Sequence, residues 1–219
     1  SGTPNISCGT IAGSTGTFTG DVDIADKIVH TGDTNTAIRF PDADTITAET
    51  GGSERLRITS DGRVLINSTT SRNIGANISR MLQIESSGGG AGIAVVRNSN
   101  NTSGPSLDLG KSRGYPNTIV QSGDKLGVIN FSGADGTSLQ ISGAQISGEV
   151  DGTPGENDMP GRIVFKTTAD GASSSTTRMV IKSDGKIGIG QDTPAGLLHI
   201  SSGTSGDCEL IIEADTDNN

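Results

Sequence analysis

Apolar positions along this 219-residue chain fall in short alternating runs, and none sustains the i, i+3, i+4, i+7 spacing of a helix face. Gly or Ser breaks nearly every run. The pattern predicts β-strands at 23–29, 37–40, 55–59, 64–66, 81–84, 92–96, 118–121, 126–131, 139–146, 162–166, 178–182, 187–189, 197–200 and 210–213. No helix is expected.

One stretch occurs twice. Ser53-Glu-Arg-Leu-Arg-Ile-Thr-Ser-Asp-Gly-Arg-Val-Leu-Ile-Asn67 returns as Thr176-Thr-Arg-Met-Val-Ile-Lys-Ser-Asp-Gly-Lys-Ile-Gly-Ile-Gly190. Self-similarity on this scale marks a repetitive β protein. Ala37-Ile-Arg-Phe40 precedes the first copy and Arg162-Ile-Val-Phe165 the second, and Leu126–Phe131 adds a third strand ending in Phe. Each copy is followed by two more apolar runs, Met81–Ile84 and Ala94–Val96 in one case, Leu197–Ile200 and Leu210–Ile212 in the other. The expected order in each unit is a Phe-ended strand, a polar loop, the Ser-Asp-Gly pair of strands, and two further strands. This divides the chain into a Gly/Ser/Thr-rich lead-in at 1–20, a first β repeat at 21–87, a connecting β segment at 88–125, a second repeat at 126–203, and the start of a third at 204–219.

The Ser-Asp-Gly turn sets the register. A two-residue loop, Asp61-Gly62, would split the apolar residues between the faces. A three-residue loop, Ser60-Asp61-Gly62, with Gly62 left-handed in a type I turn plus G1 bulge, puts Ile58 opposite Val64 and Leu56 opposite Ile66. Met179, Ile181, Ile187 and Ile189 then form the matching quartet about Asp184 and Gly185. A one-residue slip would turn either quartet to the other face, so the three-residue loop is preferred. The same sequence also suits a chain that turns a corner in a triple-stranded fibre. With Phe40, Phe131 and Phe165, the quartets are the expected core. Each is a small patch, and an isolated hairpin is marginal in water. Burial against identical neighbours would complete the core and cover open strand edges, which argues for an intertwined homo-oligomer.

Composition supports a thin core. Aromatics make up 2% of residues and hydrophobic residues 31%, against 33 Gly. A single large core has too few large side chains to draw on. The repeated apolar strands argue against disorder beyond the lead-in. Net charge is −9 with no basic stripe, so nucleic-acid binding has no electrostatic footprint. Cys8 and Cys208 fit no zinc spacing and no disulfide framework, and are expected as free thiols. No apolar run reaches membrane-spanning length, and no secretory leader is visible. Ser1 in place of Met is expected of a processed chain or a fragment.

The segment Ala25-Asp-Lys-Ile-Val-His-Thr-Gly-Asp-Thr-Asn-Thr-Ala-Ile-Arg-Phe-Pro41, followed by Glu54–Gly62, resembles repeats of bacteriophage tail-fibre and tail-spike proteins, marine and cyanobacterial phages especially. So do Gly110–Arg113, Gly133–Gly136, Glu149–Arg162 and Thr167–Ala172. The resemblance covers residues 21–219 and rests on the order of the motifs, since each alone is ordinary turn chemistry. It implies an all-β, elongated, repetitive fibre, built of triple β-helix or β-prism-like modules as an intertwined homotrimer. Such a shaft supports attachment to the host surface, in a virion whose parts are made in the host cytoplasm. Its implied partners are further copies of itself and other tail or baseplate proteins. In that family a self-cleaving chaperone domain often follows. Nothing here resembles it, and the chain stops within a repeat at Asp215-Thr-Asp-Asn-Asn219, so a tip or chaperone is expected outside this sequence.

Catalytic chemistry is not expected. His30 and His199 lie in or beside strands. No nucleophile elbow or nucleotide-binding Gly loop is present. Asp21/Asp23, Asp42/Asp44, Asp151/Glu156/Asp158 and Asp215/Asp217 include pairs of the kind a glycosidase uses, but they sit in turns that favour Asp anyway. The loop 151–158 has oxygen ligands without EF-hand spacing, and reads as a solvated turn rather than a Ca²⁺ site. No cofactor is expected. Two further readings compete with the shaft. One assigns binding of host-surface glycans to loops such as Leu109–Asn117, which holds Tyr115, the sole tyrosine. The other is a capsid-attached fibre or a cellular adhesin.

Overall fold

A computed structural model of the chain describes residues 19–75, 78–203 and 206–212. Among them are twelve β-strands and no helix. Cys8, Phe18, most of the lead-in, Glu213 and the Asp215/Asp217 pair lie outside the described residues. The chain divides into two compact units, 1–69 with 82–87, and 70–81 with 88–219.

The first unit holds a six-stranded sheet in sequence order: β1 (Lys27–His30), β2 (Asp33–Arg39), β3 (Ile46–Thr50), β4 (Ser53–Ile58), β5 (Val64–Ile66) and β6 (Leu82–Ile84). Every neighbouring pair is antiparallel except β5 and β6, which run parallel. The second unit repeats the plan with β7 (Lys125–Ser132), β8 (Ser142–Val150), β9 (Gly161–Thr167), β10 (Thr176–Ile181), β11 (Ile187–Ile189) and β12 (Leu198–Ile200). Its last pair, β11 and β12, is again the parallel one.

Local sequence explains the turns. Gly51 and Gly52, with φ of 57° and 71°, join β3 to β4 in a two-residue loop that requires two left-handed residues. Between β4 and β5 the loop has three residues. Ile58 faces Val64, Leu56 faces Ile66, and Gly62 takes φ 80°. In the second sheet Ile181 faces Ile187, Met179 faces Ile189, and Gly185 takes φ 81°. After each hairpin the chain leaves through a left-handed residue, Asn67 (φ 58°) or Gly190 (φ 66°), whose N–H is bonded to Arg55 O or Arg178 O, in both cases at 2.9 Å.

The structure corrects the internal alignment of the repeat. Matching β4 to β10 matches β3 to β9 and β2 to β8. Phe40 therefore follows the counterpart of β8, whereas Phe165 lies on β9. The missing strand is β3, in what reads as a polar loop. Its Ile46/Ala48 against Thr47/Glu49 alternation offers two apolar residues, too few to register as a strand. Conversely, 92–96, 118–121 and 210–212 lie outside any strand.

Lateral pairing gives each sheet two chemically distinct faces, because paired residues share a face. On one face of the first sheet Ile28, Ile38, Ala48, Leu56, Ile66 and Ile84 form an unbroken row across six strands. The second sheet carries Ile129, Ile146, Phe165, Met179, Ile189 and Ile200 in the corresponding row. The opposite faces are polar or mixed: Arg39, Thr47, Arg57, Leu65 and Gln83 in one sheet, and Val128, Ser147, Val164, Val180, Gly188 and His199 in the other. The buried side chains of the single chain lie mostly on these second faces. Leu65 is wholly buried, as are Thr47, Ser147, Val164 and Val180 nearly so.

In the second unit the cause is visible. The connection from β11 to β12 folds back over this face. The carbonyl oxygen of Gln191 lies against Gly188, so that a Cβ there would collide with it and would stand 3.2 Å from Val180 Cγ2. Pro194 of the same connection is buried.

Candidate functional site

Three features have a claim to function: the turn residues, the open apolar faces, and a loop cleft in the second unit.

The turn residues are built for geometry. Gly62 N–H bonds to Thr59 O at 2.8 Å and Thr59 N–H to Arg63 O at 2.9 Å, which closes the bulged loop. The Asp61 carboxylate pairs with Arg63 and accepts the Thr59 hydroxyl. In the second copy Asp184 pairs with Lys186 Nζ at 2.7 Å and accepts its backbone N–H at 3.1 Å, and these two contacts hold the carboxyl below its usual range. Both carboxylates are exposed and are engaged by residues of their own turn.

The apolar faces are the larger feature. Within a single chain the core residues expected from the sequence are only partly covered. Leu56, Val64, Met179, Ile181, Ile187 and Phe165 are half-buried, and Ile58, Ile66, Ile189, Phe40 and Phe131 are exposed. Ile38, on the second strand of the first sheet's row, is 48% exposed. The reason is topological. In the second unit the β11–β12 connection covers the mixed face and leaves the apolar one open.

The mixed faces carry ion pairs that help seal them. Glu149, nearly buried, accepts Arg162 Nη2 at 2.8 Å and the Ser147 hydroxyl at 2.9 Å. Burial pushes its carboxyl up, but these bonds outweigh it and hold the group below its ordinary value. Asp151 binds Lys182 Nζ and takes Ser183 N–H at 2.9 Å. Here too burial raises the carboxyl, and the Lys182 and Ser183 bonds lower it further than burial lifts it. In the first sheet Arg57 pairs with Glu54 at 2.7 Å, and Arg39 with Asp26 and Glu49 at 3.1 Å each.

The loop 112–118 is closed by its own bonds. Arg113 N–H reaches Thr118 O at 3.1 Å, and Thr118 N–H reaches Gly114 O at 3.0 Å. The Arg113 guanidinium forks onto Asp124 at 2.7 and 2.8 Å. That fork, with the Gln121 N–H, pulls the Asp124 carboxyl down to about 2. The loop presents Tyr115 at 99% exposure. A cleft of about 320 Å³ is lined by Lys111, by Ser112 and Asn117 of this loop, and by Glu156 and Met159 of the 151–160 turn. A wider cleft of about 920 Å³ runs along β7, past Asp108, Leu109, Lys125 and Asn130, with no aromatic side chain in its lining.

The remaining candidates stand apart. His30 is exposed on β1, and His199 Nδ1 accepts Ala195 N–H at 3.3 Å. The 155–158 turn is closed by reciprocal Gly155 and Asp158 backbone bonds, with Asn157 left-handed at φ 57°. Among the described residues no group of three or more His, Cys, Asp or Glu side chains is placed to hold a metal. Cys208 is exposed as a free thiol. No helix among the described residues is long and apolar enough to cross a membrane. Sequence reasoning missed that the mixed faces are the buried ones, because Thr47, Ser147 and Glu149 carry no apolar signal.

No protein family and no curated protein matches the chain. Solved structures do. The carboxy-terminal domain of the bacteriophage T5 L-shaped tail fibre aligns with a TM-score of 0.58 and 15% identity, over 86% of this chain and 83% of that one. The same domain with its intra-molecular chaperone domain aligns with a TM-score of 0.58 and 16% identity, over 85% of this chain and 58% of that one. At this identity the likeness is one of fold: the all-β architecture of this chain is similar to that of a phage tail-fibre carboxy-terminal domain.

Proposed function

We propose that the chain is a structural, non-enzymatic segment of a bacteriophage tail fibre, of the type found in marine and cyanobacterial phages. It forms part of a homotrimeric shaft that supports attachment to the host surface. The observation that carries this reading is the pair of open apolar faces. A monomer in water would hold two six-stranded sheets with their aliphatic rows only partly covered. Contiguous exposed apolar area on this scale marks an interaction surface. Three copies that pack each of these faces against its counterparts would bury both rows, as β-prism or triple β-helix modules do. The fold similarity to a tail-fibre domain and the motif order of residues 21–219 support the same assignment. In the virion the shaft would join other tail or baseplate proteins. Sedimentation equilibrium of the purified chain is expected to give the mass of three chains. A stable single-chain particle would sink the proposal, and antibody labelling on the capsid in place of the tail would sink the tail assignment.

A second reading rests on the loop cleft. A phenol ring stands wholly in solvent on a closed loop, and the cleft that Asn117 of the same loop lines with Lys111 and Glu156 holds donors and acceptors, so the loop offers a pyranose a stacking face and the cleft polar groups. Here the segment itself would bind host-surface glycans. An array of bacterial glycans probed with the assembled protein is expected to give signals that Tyr115→Ala removes. A blank array for the intact assembly would rule it out.

A further inference from the structure

Five Asp-Gly pairs occur in the chain, at Asp61, Asp135, Asp151, Asp170 and Asp184. Such a pair can rearrange without a catalyst. The backbone nitrogen of the Gly attacks the carboxyl carbon of the Asp, water leaves, and a cyclic succinimide forms. Water then opens the ring at either carbonyl. One opening restores Asp. The other carries the main chain through the side-chain methylene, as isoaspartate, with no net change in mass. Gly favours the attack because it has no Cβ to obstruct it and lets the backbone rotate. Gly follows the Asp at every one of these sites, so the dipeptide alone does not rank them.

The fold ranks them. Ring closure needs a Gly N–H that is not tied to a carbonyl and an Asp carboxyl that is able to turn toward it. Gly62 N–H is bonded to Thr59 O at 2.8 Å, and the Asp61 carboxylate to Arg63 and the Thr59 hydroxyl. Gly185 N–H is bonded to Lys182 O at 3.0 Å, and the Asp184 carboxylate to Lys186. Asp135 accepts Thr137 N–H at 2.8 Å and Ser138 N–H at 2.6 Å. Asp151 binds Lys182 Nζ and accepts the N–H and the hydroxyl of Ser183 at 2.9 and 3.0 Å. Asp170 differs from all of these. It lies with Gly171 in the exposed connection between β9 and β10, and among the described residues neither the Asp170 carboxylate nor the Gly171 N–H has a hydrogen bond or ion pair. One turn bond, from Ala172 N–H to Ala169 O at 3.0 Å, spans the pair. No atom stands within 4 Å of the place a Gly171 Cβ would occupy, so nothing crowds the turn there.

We propose that Asp170 is a site of spontaneous isoaspartate formation in this protein, through a succinimide closed by the Gly171 nitrogen. The β9–β10 connection takes up the extra backbone methylene, because contacts outside the pair fix its ends. Thr168 N–H and hydroxyl bond to Gly143 O and Ser142 O at 2.9 and 2.6 Å, and Thr176 is paired with Thr167. The register of β9 and β10 is therefore kept. None of these contacts involves a second copy, so the site goes beyond the fibre reading and stands without it.

The full chain is held for weeks at neutral pH and physiological temperature, digested, and mapped by mass spectrometry with electron-transfer fragmentation, which distinguishes isoaspartate from aspartate. Peptides spanning each Asp-Gly pair are aged beside it. In the folded chain isoaspartate at Asp170 is expected to run about tenfold or more ahead of the other sites, since each of those must first give up at least two hydrogen bonds. In the peptides all are expected to convert at similar rates. Equal accumulation across the sites of the folded chain, an earlier rise at any other site, or no isoaspartate at Asp170 overturns the proposal. A lead for Asp170 that the peptides share overturns it too, because the local sequence and not the fold would then be the cause.

Discussion

Replacing Leu65 by Ala removes three carbons from a side chain with 0% exposure, flanked across the sheet by Arg57 and Gln83. At about 0.8 kcal/mol per buried methylene, the transfer loss is about 2.4 kcal/mol. Incomplete collapse of the site raises the total to about 3–4 kcal/mol, within the range for buried Leu→Ala changes. Ile66, the next residue, points to the open apolar face at 36% exposure, so within one chain Ile66→Ala costs less, about 1–2 kcal/mol. Urea unfolding at several protein concentrations separates the two. Leu65→Ala should lower the midpoint at every concentration by an amount equivalent to the full loss, with the slope unchanged. On the proposed homotrimer, Ile66→Ala should show a deficit that depends on concentration, because neighbouring copies would supply part of its burial. A Leu65→Ala protein within about 0.5 kcal/mol of wild type would refute the assignment of the covered face, since surface changes fall in that range.

Gly188→Ala should destabilise the second unit by at least about 1–3 kcal/mol, because the new Cβ meets the backbone oxygen of Gln191 and the β11–β12 connection must move; thermal unfolding would read this as a lowered midpoint. Gly185→Ala meets no atom within 4 Å, so its cost is only that of a left-handed Ala, about 1–2 kcal/mol, and Gly185→Asn should lose less in the same assay. Glu149 and Asp151 have lowered carboxyl pKa values in the fold, so their contribution is present above the ordinary carboxylate pKa of about 4 and is lost as pH falls through the lower folded values. Asp151→Asn should therefore be less stable than wild type at pH 7, with a gap in urea midpoint that narrows below about pH 4; a gap that stays constant with pH would contradict the network.

Much of the fold is legible because it is local. The alternation of Leu56, Ile58, Val64 and Ile66 about Ser-Asp-Gly selects the three-residue loop, and the structure has that register with Gly62 left-handed. The candidate site divides in the same way. The aliphatic rows can be traced from the sequence, and Tyr115 stands out as the sole tyrosine. The cleft that its loop helps to line joins residues near 112 to residues near 156, and no local pattern brings them together.

What the sequence determines by itself is the all-β character, the repeated hairpin, and the partition of side chains into an aliphatic and a mixed face, since period-two geometry acts between neighbours in the chain. Tertiary structure decided the place of β3, the parallel pairing of β6 with β5 and of β12 with β11, and which face a single chain can cover. The last point turns on the β11–β12 connection, which folds over Gly188 and Val180 and leaves Met179, Ile181, Ile187 and Ile189 to the other side. A connection has one side to return on, and its choice depends on contacts between residues far apart in sequence. The residues richest in apolar surface are therefore among those that the connections of this chain leave open.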